Sequence, residues 1–476
     1  MDGISLLLAL VAVVAVAVYC LRVPTLVGAC VTILAAAVFG VEFWHLDAAL
    51  PVTIDRVFLV GTVVAFVVQR RLGQTDPKRL LTVDKILVLF LGLLTVSFFL
   101  SDFHDPKEQA ISQFRLMVGY LIPATLYYVA RQSRFTERNL SFVRGAFFCL
   151  GVYLGFTAIC EFTKTWWLVF PWQIADPTVG LHYGRARGPM VHSVSFGLCL
   201  GTCFLASWIW RSHLSPLKQR WVLLFLPLML VGIVLSLTRS VWIGAGLSTI
   251  ALLGLTLRGS VRRAFLAVAI ASVIVVVVVR PENLIAFKRE ESAENTEQSA
   301  ELRKSFVYIS WQMFKDKPIW GFGFGTFYWE KMPYLHDRRT DLLLEPIRDW
   351  VHHNTFLSIL TETGAVGFAL FLALLGGWAY NGWRLLRCAQ APRWVRWQGA
   401  LTLAQLLLYS TQLLFHELSY AVIDSALVYF TAGITVGLRA QWDVAPERVS
   451  AERIAAAQNA RPLAWAWKPA TGGASA

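Results

Sequence analysis

Charged side chains are scarce in this chain: 15% of its 476 residues are Asp, Glu, Lys or Arg, while 56% are hydrophobic. That is too little polar material to clothe a soluble protein of this size, so water is not its main solvent. No Pro/Ser-rich stretch sets off a soluble domain, and no fixed period recurs, which excludes repeat architectures and tethered modules. Alternation of apolar and polar residues over segments of about 10 is also missing, which excludes a β-barrel as the way across a membrane. The basic residues behind the formal charge of +13 form no single stripe or tail, so nucleic acid is not an expected partner. Cysteine is placed where it can do little. Cys20, Cys30, Cys149, Cys160, Cys199, Cys203 and Cys388 lie in apolar runs or beside a basic cluster, away from segments that an oxidising compartment would pair. Cys199 and Cys203 share a helix face at i, i+4 but have no third ligand nearby. No disulfide, metal or cofactor is expected.

What the chain does have is long apolar runs. Residues 6–19, 86–100, 221–237 and 264–279 are nearly free of charge, each close to the roughly 20 residues that carry a helix across a bilayer. In hydrocarbon the backbone must satisfy its own hydrogen bonds, so these runs are helices. The run at 6–19 has no basic segment before it and reads as a retained helix, not a cleaved signal. Between the runs, cations recur in short clusters: Arg70, Arg71, Lys78 and Arg79; Arg131, Arg134 and Arg138; Arg211, Lys218 and Arg220; Arg258, Arg262 and Arg263; Arg384, Arg387, Arg393 and Arg396. Loops this basic are cytoplasmic. The alternate segments carry the acids: Asp102 and Asp105, Asp176, the stretch from Glu282 to Glu301, and Glu417. The expectation is an all-α polytopic membrane bundle of about 12 to 13 transmembrane helices. Residues 1–440 form it, with outer loops at 164–190 and 281–352. Residues 441–476 form a polar cytoplasmic tail, partly helical around 447–458.

In the larger loop Leu302, Phe306, Ile309 and Met313 share one helix face, opposite Arg303, Lys304 and Gln312. That pattern suits a helix lying on the membrane surface. Lys317 and Pro318 end it, and Gly321, Gly323 and Gly325 follow between aromatics. No strand precedes them and no Lys-Ser pair closes them, so they form a tight turn and not a phosphate loop.

Ionisable groups at the outer ends of spans are costly unless they pair or act. Arg239 stands between two apolar runs on the side where arginine is disfavoured. It implies either an anionic ligand, a structural partner such as Asp424 or Glu362, or snorkelling to headgroups. Arg185 and Arg187 lie just before a span, with His192 close behind, so their guanidinium forks suit a phosphate at membrane level. Three arginines on one side make a diphosphate site, because fixed cations stabilise a departing pyrophosphate. His353 precedes Asn354 and a long apolar run, placing an imidazole at the bundle mouth as a general base. His352 beside it reads as a polar anchor. His416 and Glu417 form a further ionisable pair on this side. Glu362 lies two to three turns into the following span and should be paired or orient another group.

These residues carry a resemblance. The run His353-Asn354-Thr355-Phe356-Leu357 through Thr361-Glu362-Thr363-Gly364 to Gly367 resembles the His-Asn-x-x-Leu signature of the O-antigen ligase and Wzy-type polymerase family. The segment Lys317-Pro318-Ile319-Trp320-Gly321-Phe322-Gly323 is similar to that family's Pro-x-x-Gly-x-Gly turn, and Leu237-Thr238-Arg239-Ser240 to its Thr-x-Ser-Arg junction with the order altered. Arg187-Gly188-Pro189 to Phe196 sits where the family has a Gly-x-x-x-x-Pro-Asn segment, with His192 and Ser193 in place of the Asn. The resemblance covers about residues 185–371. It implies a GT-C-like inner-membrane glycosyltransferase with short helices in its large periplasmic loop. It also implies a glycan donor on undecaprenyl diphosphate, and no nucleotide sugar or metal. Arg185, Arg187 and Arg239 would hold the diphosphate, His353 would take the acceptor proton, and His192, Asn354 and Glu362 would support them. The acceptor would be lipid A-core for a ligase or a growing glycan for a polymerase. Many spans with internal arginines also describe a lipid-linked glycan transporter or flippase. Such proteins keep short loops and show repeated halves, unlike this chain. A non-catalytic scaffold leaves the arginines and His353 unexplained.

Overall fold

The computed structural model describes residues 22–40, 43, 45–46, 52–257, 259–263 and 292–443. The expected spans at 6–19 and 264–279, Cys20, the acids from Glu282 to 291 and the tail beyond 443 lie outside the described residues.

Helices account for nearly all described regular structure, the exception being a two-residue antiparallel pair, β1 (His45–Leu46) with β2 (Val52–Thr53). In chain order the principal helices are α1 (Thr25–Val38), α2 (Ile54–Arg71), α3 (Thr82–Leu100) and α4 (Pro106–Leu116), which runs through a π-helical turn at Met117–Leu121 into α5 (Ile122–Gln132). They continue with α6 (Glu137–Phe162), α7 (Ser193–Arg211), α8 (Pro216–Leu235), α9 (Arg239–Thr256) and α10 (Ser292–Asp316). The last are α11 (Thr355–Arg387), α12 (Arg393–Phe415) and α13 (Val422–Asp443). Among the described residues seven helices, α3, α6, α7, α8, α9, α11 and α13, are long and apolar enough to cross a membrane. The expected 12 to 13 also counts α1, which has 14 residues, α2, which carries Asp55, Arg56, Arg70 and Arg71, the α4–α5 run that the π turn divides, α12, and the two runs outside the described residues.

Burial separates centre from rim. The spanning windows of α7 and α13 are 89% and 94% buried, those of α3 and α8 only 33% and 28%. The rim helices show Val88, Leu89, Phe99, Leu224 and Val234 outward, as lipid-facing helices must. Helix α13 reaches the centre because it is thin there. A Cβ on Gly433 would stand 2.4 Å from the Tyr127 carbonyl oxygen and one on Gly437 2.5 Å from that of Arg131, so only glycine lets α13 approach α5 this closely.

Four of the five basic clusters gather at one end. Lys78 Nζ donates to the Ser133 carbonyl at 2.7 Å, and Arg131 pairs with Asp84 at 2.7 Å. Arg144 donates to the Trp394 carbonyl and to Gln398, each at 3.1 Å, and the His213 ring packs on Trp397 at 5.5 Å. The loops 163–192, 317–354 and 416–421 lie at the other end. Helix α10 forms as its periodicity predicts, but its stripe does not face a membrane surface. Phe306, Ile309 and Met313 are buried with Phe327, Leu335, Leu344 and Ile347 in a small core belonging to the loop itself. The apolar face found protein to cover it, and the loop is thereby a folded cap.

Candidate functional site

The site begins at a break in α11. Gly364 adopts φ 63° and ψ −165° inside the helix, a conformation that L side chains resist. The break frees backbone groups deep in the bundle, where each unsatisfied group costs several kcal/mol. The turn after α10 takes them up. Phe322 and Gly323 donate their N–H groups to the carbonyls of Thr361 and Glu362 at 3.0 and 2.9 Å, and Ala365 and Val366 donate to those of Pro318 and Ile319 at 2.8 and 3.3 Å. Gly321 is required because a Cβ there would meet the Glu362 backbone at 2.5 Å. The glycine turn and the helix after His353 are thus two halves of one joint, and the joint fixes Glu362.

Glu362 is 1% exposed and is held by Arg115 from α4. Arg115 Nη1 donates to both carboxylate oxygens, at 2.6 and 2.8 Å, its Nε donates to Ser419 Oγ at 2.7 Å and its Nη2 to Ser358 Oγ at 2.6 Å. Glu417 lies 3.9 Å from Nη2, and the guanidinium lies 4.6 Å over the Phe324 ring. Four hydrogen bonds and a second carboxylate compensate this buried cation, which is the condition under which such a pair is tolerated. Above the pair opens a cavity of about 390 Å³, lined among others by Glu108, Phe327, Tyr328, Trp329, His352 and Glu417.

His352 is 3% exposed and stacks on Phe327 with ring centroids 3.4 Å apart. Its Nε2 is 2.9 Å from Thr361 Oγ1, whose own hydrogen goes to the Leu357 carbonyl at 2.9 Å. The hydroxyl therefore accepts from Nε2–H, which leaves Nδ1 as a bare acceptor in the neutral ring. Burial, then Arg115 and Lys331, hold this imidazole well below the ordinary histidine range.

A second cluster lies across a thin wall of chain. The wall is stitched by Thr355, which donates N–H and Oγ1–H to the His416 carbonyl at 3.2 and 2.8 Å and accepts from Leu418 N–H at 3.1 Å. Consecutive residues of the wall take opposite sides. His352 and Glu417 line the cavity, whereas His353 packs 5.2 Å from the rings of Phe306 and Trp350 and His416 shares a 2.8 Å hydrogen bond with Ser240. On this far side stand Arg185, Arg239, Arg303, His182 and His192. Arg303 is lowered from its usual value by burial and then by Arg239. His192 falls to about 4 through burial and then Arg185. His416 falls well below the histidine range through burial, then His192, Arg303, His182 and His353. His353 is lowered by burial and then by Arg303. The imidazoles of His192, His353 and His416 are accordingly neutral at neutral pH. The His192 Nδ1 contact to Ser195 Oγ at 2.8 Å continues from that hydroxyl to Asp424 at 2.9 Å.

The structure thus brings Arg185, Arg239, His192 and His353 into one neighbourhood. Arg187 goes elsewhere. It is 1% exposed and spends its fork on the carbonyls of Val179, Ile174 and Asp176, while its N–H and that of Gly188 bind Glu161 at 3.1 and 2.9 Å. It shapes the loop that carries Arg185. Asn354 caps α11, accepting from Leu357 N–H at 3.0 Å and donating to the Leu414 carbonyl at 2.8 Å. Neither Glu362 nor Asp424 serves as the partner considered for Arg239: the first binds Arg115 and the second Ser195. Three contributors were absent from the sequence reading: Arg115, Arg303 as a site residue, and His182. The available signals were an arginine inside an apolar stretch and a cation on the polar face of α10.

A family model described as O-antigen ligase matches residues 222–372, the family that the motifs around His353 and Gly321 resemble. The match contains Arg239, Arg303, the glycine turn, His353 and Glu362, and begins after Arg185, Arg187 and His192. No curated protein sequence matches the chain. The match spans about a third of the chain, and over that region the chain, a multi-pass helical membrane protein, is similar to O-antigen ligases.

Proposed function

We propose that the protein transfers a glycan from undecaprenyl diphosphate to an acceptor hydroxyl at the non-cytoplasmic face of the bacterial inner membrane, as a GT-C-like ligase. The observation that supports this most is the linked cluster in which Arg303 acts on His353, His416 and Arg239, and Arg185 acts on the neighbouring His192, since mutual repulsion of cations is offset when a polyanion lies among them. The sidedness follows from the basic clusters, which belong to the cytoplasmic end. Arg239, Arg185 and Arg303 bind the diphosphate. His353, neutral at working pH, accepts the proton of the acceptor hydroxyl as its oxygen bonds to the anomeric carbon. The bond from that carbon to the phosphate oxygen breaks, and the electron pair leaves with undecaprenyl diphosphate, where the arginines stabilise the developing charge. Direct displacement inverts the anomeric centre. Arg187 and Asn354 position this machinery through the loop and the cap, and Glu362 does so through Arg115.

The test is transfer by purified protein in detergent, from a labelled lipid-linked donor to lipid A-core. Product formation that requires His353 supports the reading, and movement of donor across vesicles without any product would make the protein a transporter. Polymerase activity uses the same chemistry with a glycan acceptor. Deletion in cells separates the two: loss of a ligase leaves polymer on the carrier, and loss of a polymerase leaves single repeats.

A further inference from the structure

The cavity on the other side of the wall is not needed to hold a diphosphate, and its chemistry is unsuited to one. Asp105, Glu108, Glu362 and Glu417 line it against Lys107 and Arg115, and Arg115 is already committed to Glu362, Ser358 and Ser419. Three buried polar atoms of residues that line it have no hydrogen-bond partner among the described residues: His352 Nδ1, Glu417 Oε2 and Glu108 Oε1. As carboxylate oxygens and a bare imidazole nitrogen, all three are acceptors. Buried acceptors left unpaired are costly, so each marks a donor that belongs to an occupant. Phosphate, an acceptor itself, cannot supply one.

We infer that this cavity is a sugar-binding subsite, which seats an uncharged pyranose unit of the acceptor. Such a ring carries hydroxyl donors around its edge for His352, Glu417 and Glu108, and apolar C–H faces for Tyr328 and Trp329. At about 390 Å³ the space falls at the small end of ligand pockets, which run from about 300 to 1,000 Å³. That is the scale of a mono- or disaccharide and not of a lipid chain or a polymer. The wall explains how such a sugar meets the donor: His352 faces the ring while His353, the next residue, faces the arginines, and Glu417 is close enough to His353 to act on it electrostatically. The assignment to the acceptor rests on the donor reading above; the preference for sugar over phosphate does not.

Saturation-transfer NMR on the full-length protein in detergent tests this, with methyl hexopyranosides as one probe and farnesyl diphosphate as the other. Ring-proton transfer is expected in the unmodified protein and in Arg239→Ala, with binding weakened about tenfold in Glu108→Gln, which removes one charged acceptor without changing shape. Trp329→Ala, a partly exposed position, gives the same loss with little risk to folding. Farnesyl diphosphate binding follows the opposite pattern, retained in both cavity variants and lost in Arg239→Ala. Sugar binding that is absent from the unmodified protein, or unaffected by both cavity variants, overturns the inference. Sugar binding without any diphosphate binding keeps the subsite and removes the donor site instead.

Discussion

The two ends of this bundle use the same cation in opposite ways. At the basic end the buried arginines are discharged onto the protein: Arg131 onto Asp84 and the carbonyls of Lys78 and Arg79, Arg144 onto Gln398 and the Trp394 carbonyl. At the outer end Arg303 lies beside Arg239, an arrangement that costs repulsion, and Arg185 beside the neutral ring of His192. Arginines whose forks are consumed by the fold hold it together, and arginines that stand beside other cations favour an anion among them. Arg187, at the outer end two residues from Arg185, belongs to the first kind. Sequence proximity is no guide to the kind.

The comparison is easiest to break at His353, where the fold asks least and the chemistry asks most. His353→Ala should lower the transfer rate by about 10²- to 10⁴-fold, the usual worth of a positioned base, with an unchanged melting temperature. A rate within about twofold of the unmodified protein would remove the base role. Next in size is the buried pair. Arg115→Ala leaves Glu362 uncompensated and should cost about 3–5 kcal/mol of stability, read by thermal unfolding in detergent. The double change Arg115→Met with Glu362→Leu should recover most of it, because a matched apolar pair also fills the space. Arg131→Ala at the basic end should cost a similar amount yet leave the rate per folded molecule intact. Equal activity losses from Arg115→Ala and Arg131→Ala would erase the distinction between the ends. A smaller effect is expected at the fork itself. Arg239→Lys keeps the charge and loses the bidentate geometry, for a loss of about tenfold to a hundredfold in kcat/KM, while Arg144→Lys leaves kcat/KM unchanged. Full activity in Arg239→Lys would argue for a point charge in place of a fork.

Much of the bundle was legible because lipid leaves so few solutions. Apolar runs must be helices, and the alternation of basic and acidic loops assigns their ends, so four of the five clusters meet as expected. The helix of α10 was equally legible, but periodicity names a buried face without naming what buries it, and here the cap's own aromatic residues do so. The pair between Arg115 and Glu362 spans 247 positions, and no local pattern encodes a contact of that separation. The split between His352 and His353 is a different failure. In an extended segment neighbouring side chains point to opposite sides, so the sequence places two imidazoles at the bundle mouth and leaves open which faces the arginines. That order depends on the joint between Gly321 and Gly364, whose parts lie over forty residues apart.

The smallest expected effect is the most specific. Burial and Arg303 both lower the pKa of His353, so its neutral, proton-accepting form persists to lower pH than that of an ordinary histidine at about 6.5. Activity should therefore be flat through neutrality and fall only as pH drops through the lowered value. Arg303→Gln removes one of the two causes that lower it and leaves burial, so the acid limb should move to higher pH. Stability has an acid loss of its own. His192 is held to about 4, so the unfolded chain binds its proton first and stability declines from about pH 6.5 downward, levelling near 4. Rates must be taken per folded molecule for that reason. Arg303→Gln also weakens donor binding, which lowers the whole curve, but height and position are separate readouts. A limb that stays in place while the height falls would confine Arg303 to the diphosphate. A limb that moves upward ties the arginine cluster and His353 into one electrostatic unit, which nothing at the basic end should reproduce.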